Sequence, residues 1–360
     1  MSKVYKSIMS KKVIVTGVTG QDGSHMVDYL LKNTDYKIYG SIRRLSVKNH
    51  ENIKHLQNEP RFELIDLDLT DTHSINSCVI EIKPDYFLNF AAQSFVAGSW
   101  KYPIQTWETD SNGVLHMLEA VRRFAPECRF YNAGSSEEFG DVVYSPQNEE
   151  HPLRPQSPYG AAKCAARHLV RVYRESYNIF AIQGWLFNHE GTRRGIDFVT
   201  RKISDGIAKL KRALEIDKVL EFSHPKPELP ILKLGNLDAQ RDWTDAEDFM
   251  EGVWLMINQE SPKEYVLASG EMHTVRSFVE NALDCIGVEY TIEGEKDSEK
   301  FKLADGRVIV EVDPSFYRPA EVEELLGDPS KAEKELGWKR KTDYKSLVKK
   351  MVQNDYKLLG

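Results

Sequence analysis

Between residues 12 and 187 short β-rich runs alternate with amphipathic segments, and that alternation restricts the fold more than anything else in the chain. Strands are predicted at Lys12–Thr16 (KVIVT), Lys37–Arg43, Phe62–Asp66, Tyr86–Phe90, Arg129–Ala133 and Ile179–Phe187. They are rich in Val, Ile, Phe and Tyr, which suit a pleated, buried surface. Helical patterns fill the intervals at Ser24–Leu31, Ser74–Ile82, Val114–Phe124 and around Tyr159–Tyr177. Strand and helix in strict turn imply parallel pairing through right-handed crossovers, with helices on both faces of one sheet. The fold class read from this is α/β, a Rossmann-type doubly wound parallel sheet. Beyond residue 187 the pattern turns irregular, with loops such as SHPKPELP (Ser223–Pro230). A chain of 360 residues is long enough for about two domains. We expect a nucleotide-binding domain with the catalytic residues over 1–187. A smaller substrate-binding domain is expected over 188–360, with some segments returning to the first.

The opening strand runs directly into TGVTGQDG, Thr16 to Gly23, in which Gly17, Gly20 and Gly23 stand three apart. One glycine permits the tight turn, another lets a pyrophosphate approach backbone N–H groups, and the third lets the helix pack closely on the strand. A lone glycine pattern is a weak sign. This one follows a predicted strand and opens a predicted helix, which is the context a dinucleotide site needs.

An NAD site places an acidic side chain about twenty residues further on, against the ribose 2′-hydroxyl. Here that neighbourhood reads GSIRRLS, with Arg43 and Arg44 and no carboxylate. Two guanidinium groups suit a 2′-phosphate, so NADP is the cofactor expected.

Two further stretches bear on chemistry. YNAGSSEEFG, Tyr131 to Gly140, clusters hydroxyls and carboxylates after the fifth strand, and SPYGAAK sets Tyr159 four residues before Lys163. On a helix those two share a face. A lysine ammonium there is expected to lower the phenol from its usual value of about 10, giving a base for an alcohol proton. Ser135 would hydrogen-bond the substrate hydroxyl. Alcohol oxidation alone needs no neighbouring carboxylate. Glu137 makes sense if a second proton, α to a new ketone, must also leave, which is how a dehydratase oxidises, eliminates water and reduces. Glu138, beside it, is read as a solvated surface carboxylate.

Composition narrows the remaining classes. A net charge of −7 argues against a nucleic-acid partner. No apolar run approaches the ~20 residues of a membrane span, and the start MSKVYKSIMSKK has no secretory apolar segment. Its Met-Ser-Lys recurs at Met9, so the first eight residues are read as an extension. Cys78, Cys128, Cys164 and Cys285 form no CxxC pair, so buried thiols in a reducing cytoplasm are expected, with no metal site.

Taken together, VTGVTGQDGS, NFAAQSFVAGSW, SPYGAAK, YRESYNIFAIQGWLFNHEGTRRGIDFVTRKI, LGNLDAQRDWTDAEDF and VDPSFYRPAEVEELLGDPSKAEKELGW resemble the GDP-mannose 4,6-dehydratase family of extended short-chain dehydrogenases/reductases. The resemblance covers nearly the whole chain. It implies that Tyr159 takes the C4 hydroxyl proton, that Ser135 stands where the family has threonine, and that Glu137 takes the C5 proton and helps expel the C6 hydroxyl. It implies cofactor contacts at Gly17, Thr19, Gly20, Gln21, Asp22, Gly23, Arg43 or Arg44, Asp68, Leu69, Phe90, Ala91, Ala92, Gln93, Ser94, Lys163, His189 and Arg194. Ser94, Asn188, Lys202, Arg241, Arg318 and Glu321 would hold a GDP-sugar. It also implies a homodimer or homotetramer, because the family's loop matching RRLSVKNHENIKHL reaches a neighbouring subunit.

The chain departs from the family's pattern at Ser135, at Phe95 where histidine is typical, at Gln105 where tyrosine is usual, and in a longer segment over Lys211–Leu232. These changes lie around the sugar rather than the nucleotide. GDP-mannose is the expected substrate and a GDP-manno-heptose the main competitor. A nucleotide-sugar epimerase or reductase would share the cofactor site, Ser135, Tyr159 and Lys163, but would not require Glu137.

Overall fold

The computed structural model describes residues 10–47, 49–219, 228–317 and 325–360. The possible N-terminal extension, most of the SHPKPELP loop, Arg318 and Glu321 lie outside these described residues. The chain divides into two compact units, one formed by residues 1–138, 157–185 and 250–265, the other by 139–156, 186–249 and 266–360.

In the first unit the elements run β1 (Lys12–Thr16), α1 (Gln21–Asn33), β2 (Lys37–Ile42), β3 (Phe62–Asp66), α2 (Thr72–Ile82) and β4 (Tyr86–Asn89). Two short helices, α3 (Val96–Lys101) and α4 (Pro103–Trp107), lead into a π-helical turn at Glu108–Asn112. Then come α5 (Gly113–Phe124), β5 (Arg129–Ala133), α6 (Pro158–Tyr177) and β6 (Ala181–Leu186). The predicted strands and helices are found, with ends moved by a few residues. β2 stops at Ile42, its last residue in register with β3 (Asp66), which leaves Arg43 beyond the ladder. β4 stops at Asn89, and the Phe90 N–H turns to the Thr16 hydroxyl at 3.1 Å.

Every pairing among β1 to β6 is parallel. The strands of this unit lie side by side in the order β6-β5-β4-β1-β2-β3. Consecutive strands step outward from β1 through β2 to β3, then restart on its other side with β4. That reversal at β1/β4 opens a crevice beyond the carboxyl ends, the usual ligand position in such sheets. The amphipathic helices cover the sheet as their spacing requires. Val114, Met117, Leu118 and Val121 of α5 join Ile14, Phe87 and Phe130 of the strands, and Ala166 and Val170 of α6, in one buried cluster.

The second unit contains β7 (Asn188–Glu190), α7 (Val199–Val219), β8 (Leu232–Leu234), β9 (Gln240–Arg241) and β10 (Trp243–Asp245). The helix α8 (Ala246–Ile257) starts here and ends in the first unit; β11 (Val266–Leu267), β12 (His273–Thr274) and α9 (Val275–Cys285) follow. The remaining elements are β13 (Thr291–Glu293), β14 (Lys300–Lys302), β15 (Val308–Val312), α10 (Ser330–Leu336) and α11 (Tyr344–Leu358). A four-stranded sheet β13-β14-β15-β8 and the pairs β10-β7 and β12-β9 form its β structure. Its core joins α7, α9 and α11 through Ile203, Ile207, Phe278, Leu347 and Met351.

Two sequence expectations change here. The segment from Lys211 is helical as far as Val219, because Leu210 and Leu214 continue the apolar face of α7 onto the core. Cys285 is exposed rather than buried, since it ends α9 beyond its inward face; Cys128 and Cys164 are buried and Cys78 is half-buried. No described helix is long and apolar enough to cross a membrane, and no three potential metal ligands cluster among the described residues.

Candidate active site

The glycine turn is shaped by close backbone approach. Gly17 has φ +68°, and a Cβ there would lie 2.9 Å from the Ala91 nitrogen. A Cβ on Gly23 would lie 2.4 Å from the Gly17 carbonyl oxygen, so no side chain fits at either position. Gly20 donates its N–H to that same carbonyl at 2.9 Å and precedes the first turn of α1 without a side-chain cap. The first backbone N–H groups of α1 point out of its N-terminal end, where a helix can receive an anion. Asn52 ties the turn from outside, donating to the Thr19 carbonyl at 2.9 Å. Arg43 and Arg44 are exposed just past the end of β2. Asp68 is half-buried and accepts from the backbone and hydroxyl of Thr70, while Leu69 is buried. Phe90, Ala91 and Ala92 follow β4, the first two donating N–H to Thr16, and Ser94 is exposed beyond Gln93.

A ladder of buried side chains crosses the same end of the sheet. Thr16 is in register with Asn89, Asn89 with Asn132, and Asn132 with Gln183. The Thr16 hydroxyl donates to Asn89 at 2.5 Å, Asn89 to Asn132 at 2.7 Å and Asn132 to Gln183 at 2.6 Å. Gln183 passes the chain to Glu138 at 3.1 Å. Four adjacent strand ends are thus locked together directly beneath the turn that follows β5.

That turn holds Ser135, Ser136, Glu137 and Glu138, the last three in one turn of 3₁₀-helix. The Glu137 N–H donates to the Ser135 hydroxyl oxygen at 3.2 Å. Opposite stands α6, whose start the motif itself explains. Ser157 caps it by accepting the Gly160 N–H at 3.0 Å, and Pro158 occupies the first position, where no N–H is needed. Tyr159 and Lys163 then face β5, and the Tyr159 and Ser135 hydroxyls are hydrogen-bonded.

Lys163 does not lower the phenol as expected. Burial pushes Tyr159 well above its usual value, and the Asp110 and Glu137 charges push the same way against the Ser135 hydrogen bond. Lys163 Nζ itself donates to the Ala133 carbonyl at 2.9 Å and stands 5.6 Å from the Tyr159 ring centroid.

Two charged groups at this site were not anticipated. Asp110, on the π-helical turn, is 1% exposed. One carboxylate oxygen accepts the Gln93 N–H at 2.7 Å, and the other has no hydrogen-bond partner among the described residues. Burial lifts this carboxyl to about 6 against the pull of Lys163. π-turns recur at functional sites, but TDSNG gives no sign of one. Glu138 is 0% exposed, which overturns its reading as a solvated carboxylate; its partner is Arg167, one further turn along the face of Tyr159 and Lys163. Half-buried Gln93 completes the picture: its side chain bridges the Phe95 backbone and the Thr106 hydroxyl, and Phe95 and Gln105 are exposed.

In the second unit, Asn188 and His189 lie on β7. His189 is buried, with Nδ1 2.7 Å from the Phe187 carbonyl and its ring against Phe249. Arg194 pairs with Glu190 at 2.9 Å and covers Phe198. Lys202 Nζ lies 3.4 Å above the Phe316 ring, and burial lowers its ammonium below the usual value. Arg241 is buried on β9 and donates to the Gln240 carbonyl at 2.6 Å.

Known proteins share this architecture. A GDP-mannose 4,6-dehydratase of Drosophila melanogaster is 42% identical over 358 residues, covering 97% of this chain and 87% of its own. The dTDP-glucose 4,6-dehydratase of Bacillus anthracis, solved with NAD, superposes with a TM-score of 0.76 at 20% identity, covering 97% of each chain. RMD of Pseudomonas aeruginosa, solved with NADPH, gives 0.73 at 20% identity and covers 97% of this chain and 100% of its own. The family model for GDP-mannose 4,6 dehydratase matches residues 14–351. With a match of that extent, the chain belongs to the GDP-mannose 4,6-dehydratase family.

Proposed function

We propose that this chain dehydrates GDP-mannose to GDP-4-keto-6-deoxymannose, with NADP as a recycled hydride carrier. The observation that supports it most is the meeting of Ser135 and Glu137, on one turn, with Tyr159 on α6. Alcohol oxidation uses the first and last of these; elimination needs the carboxylate between them.

Tyr159 takes the proton of the C4 hydroxyl, and Ser135 orients that hydroxyl. A bound oxidised nicotinamide, held by the glycine turn, would supply the hydride acceptor for C4 oxidation and the hydride donor for C6 reduction. The C4 ketone acidifies C5, and Glu137 removes that proton and delivers a proton to the departing C6 hydroxyl, so one water leaves. After C6 is reduced, C5 receives the proton that Tyr159 took from the C4 hydroxyl. One water is the only net loss. Lys163 holds the end of β5 through Ala133 and so fixes the turn relative to Tyr159.

The residues fit the cofactor. The cradle at Gly17 and Gly23, where a Cβ would collide with backbone, together with the α1 N-terminus, suits a pyrophosphate. Arg43 and Arg44 favour NADP over NAD. We assign the first unit to the cofactor and catalysis and the second mainly to the nucleotide sugar. His189 and Arg194 would contact the cofactor; Asn188, Lys202 and Arg241 would hold the GDP group, the two cations suiting its diphosphate. Ser94, Arg318 and Glu321 complete the proposed contacts, the last two lying outside the described residues.

Isotope tracing tests this reading. GDP-mannose carrying deuterium at C4 should give product with the label at C6; label lost to solvent or retained at C4 contradicts it. Activity on a GDP-manno-heptose but not on GDP-mannose would move the assignment to the larger sugar. The loop over Arg43–Leu56 supports a homodimer or homotetramer, and light scattering that finds a monomer at micromolar concentration would overturn that.

A further inference from the structure

Tyr159, Lys163 and Arg167 recur at four-residue intervals along α6 and so form one stripe. Each reaches the end of β5 or the turn after it. Tyr159 meets the Ser135 hydroxyl, Lys163 the Ala133 carbonyl, and Arg167 the Glu138 carboxylate. The third contact stands outside the catalytic scheme above, yet it is the most deeply buried, with Glu138 0% and Arg167 4% exposed.

Its geometry is directed at the catalytic turn. One oxygen of Glu138 accepts the Ser135 backbone N–H at 2.8 Å and Gln183 at 3.1 Å, and also meets an Arg167 Nη at 3.3 Å. The other oxygen accepts the Arg167 Nε. Closing the loop, the Glu138 N–H donates to the Ser135 carbonyl at 3.1 Å. Arg167 is fixed in turn by the Gln183 carbonyl at 2.6 Å and Glu264 at 3.0 Å, with its guanidinium 3.4 Å from the Trp185 ring centroid. The fit leaves no slack: a Cβ on Gly134 would stand 2.8 Å from both the Arg167 guanidinium and the Glu138 carboxylate.

We propose that the buried Glu138–Arg167 pair is a positioning device for the reaction. By holding the Ser135 backbone from beneath, it sets where the Ser135 hydroxyl and the Glu137 carboxylate point relative to Tyr159. The proposal rests on the catalytic reading of Ser135 and Glu137. A pair kept only for stability would not need its acceptor oxygen on Ser135. Buried ion pairs can often be replaced by apolar residues of similar volume without loss of stability, whereas small displacements of catalytic groups cost rate steeply.

The test uses the whole protein with GDP-mannose and NADP. Wild type must first yield the dehydrated product; if it does not, the functional reading fails and the variants are moot. In the Glu138→Leu/Arg167→Met double variant the melting temperature, KM and cofactor affinity should stay near wild type while kcat falls roughly tenfold to a hundredfold. Glu138→Gln, which keeps an oxygen for the Ser135 N–H, should retain kcat within about threefold. A double variant with wild-type kcat overturns the proposal, as does Glu138→Gln losing as much as the double variant. Should the double variant not fold, Glu138→Asp decides. It keeps the charge but withdraws the oxygen by one methylene, so kcat should drop about tenfold at unchanged KM, and wild-type kcat would refute the role.

Discussion

Lys163 Nζ donates to the carbonyl of Ala133 at 2.9 Å. The ammonium that the Tyr-x-x-x-Lys spacing assigns to the phenol is therefore tied to the last residue of β5, one step from the loop bearing Ser135. Electrostatically, Tyr159 then answers mainly to burial and to Asp110, and this exposes the site to a simple perturbation.

Asp110→Asn keeps an oxygen for the Gln93 N–H and removes the buried charge. The carboxyl stands at about 6 in the folded chain, above its usual 3.8, so the folded state binds its proton more tightly than the unfolded state does. Its contribution to stability is present below about pH 4 and is lost as pH rises to about 6. Above that, the buried anion weakens the fold by on the order of 1–3 kcal/mol. The variant should therefore melt a few degrees higher than wild type at pH 8, and the difference should vanish near pH 4. Because the Asp110 charge also raises Tyr159, the acid limb of the pH–rate profile should move to lower pH. A limb that stays put or moves up would contradict that coupling.

Changing Arg43 and Arg44 together to Ala should weaken NADP binding and spare NAD. Bonds to charged groups contribute about 1.5–3 kcal/mol each, so a loss of roughly ten- to a hundredfold is expected for each arginine that binds the 2′-phosphate. Titration of both cofactors measures it, and unchanged NADP affinity would remove these arginines from the site.

The first-unit framework was legible because its signals are local. The β-rich runs and the strand–glycine–helix sequence at Thr16 to Gly23 need only near neighbours to be read, and SPYG contains its own helix cap. Glu138 was misread for the opposite reason. Two adjacent acids suggest solvent, and only the tertiary register brings in Arg167 from the next helix. Asp110 was missed because a π-turn is set by packing rather than by TDSNG. The bond from Lys163 to the Ala133 carbonyl and the burial that raises Tyr159 were not legible, since helical spacing fixes a face but not what packs against it. Cys285 shows the same limit at a helix end.

The two proton transfers should separate. Tyr159→Phe should stop the reaction before any hydride moves, with no transient reduced cofactor. Glu137→Gln should still permit C4 oxidation but slow product formation by on the order of 10²–10⁴. Stopped-flow absorbance of the reduced nicotinamide distinguishes them, and wild-type turnover in Glu137→Gln would end the elimination role of that residue.

The most direct test of the whole account is the mass of the product made by purified protein from GDP-mannose and catalytic NADP, with no added reductant. Dehydration predicts a GDP-sugar lighter by one water, with the cofactor recovered oxidised; a product of unchanged mass, or one lighter by two hydrogens with the cofactor left reduced, would contradict it.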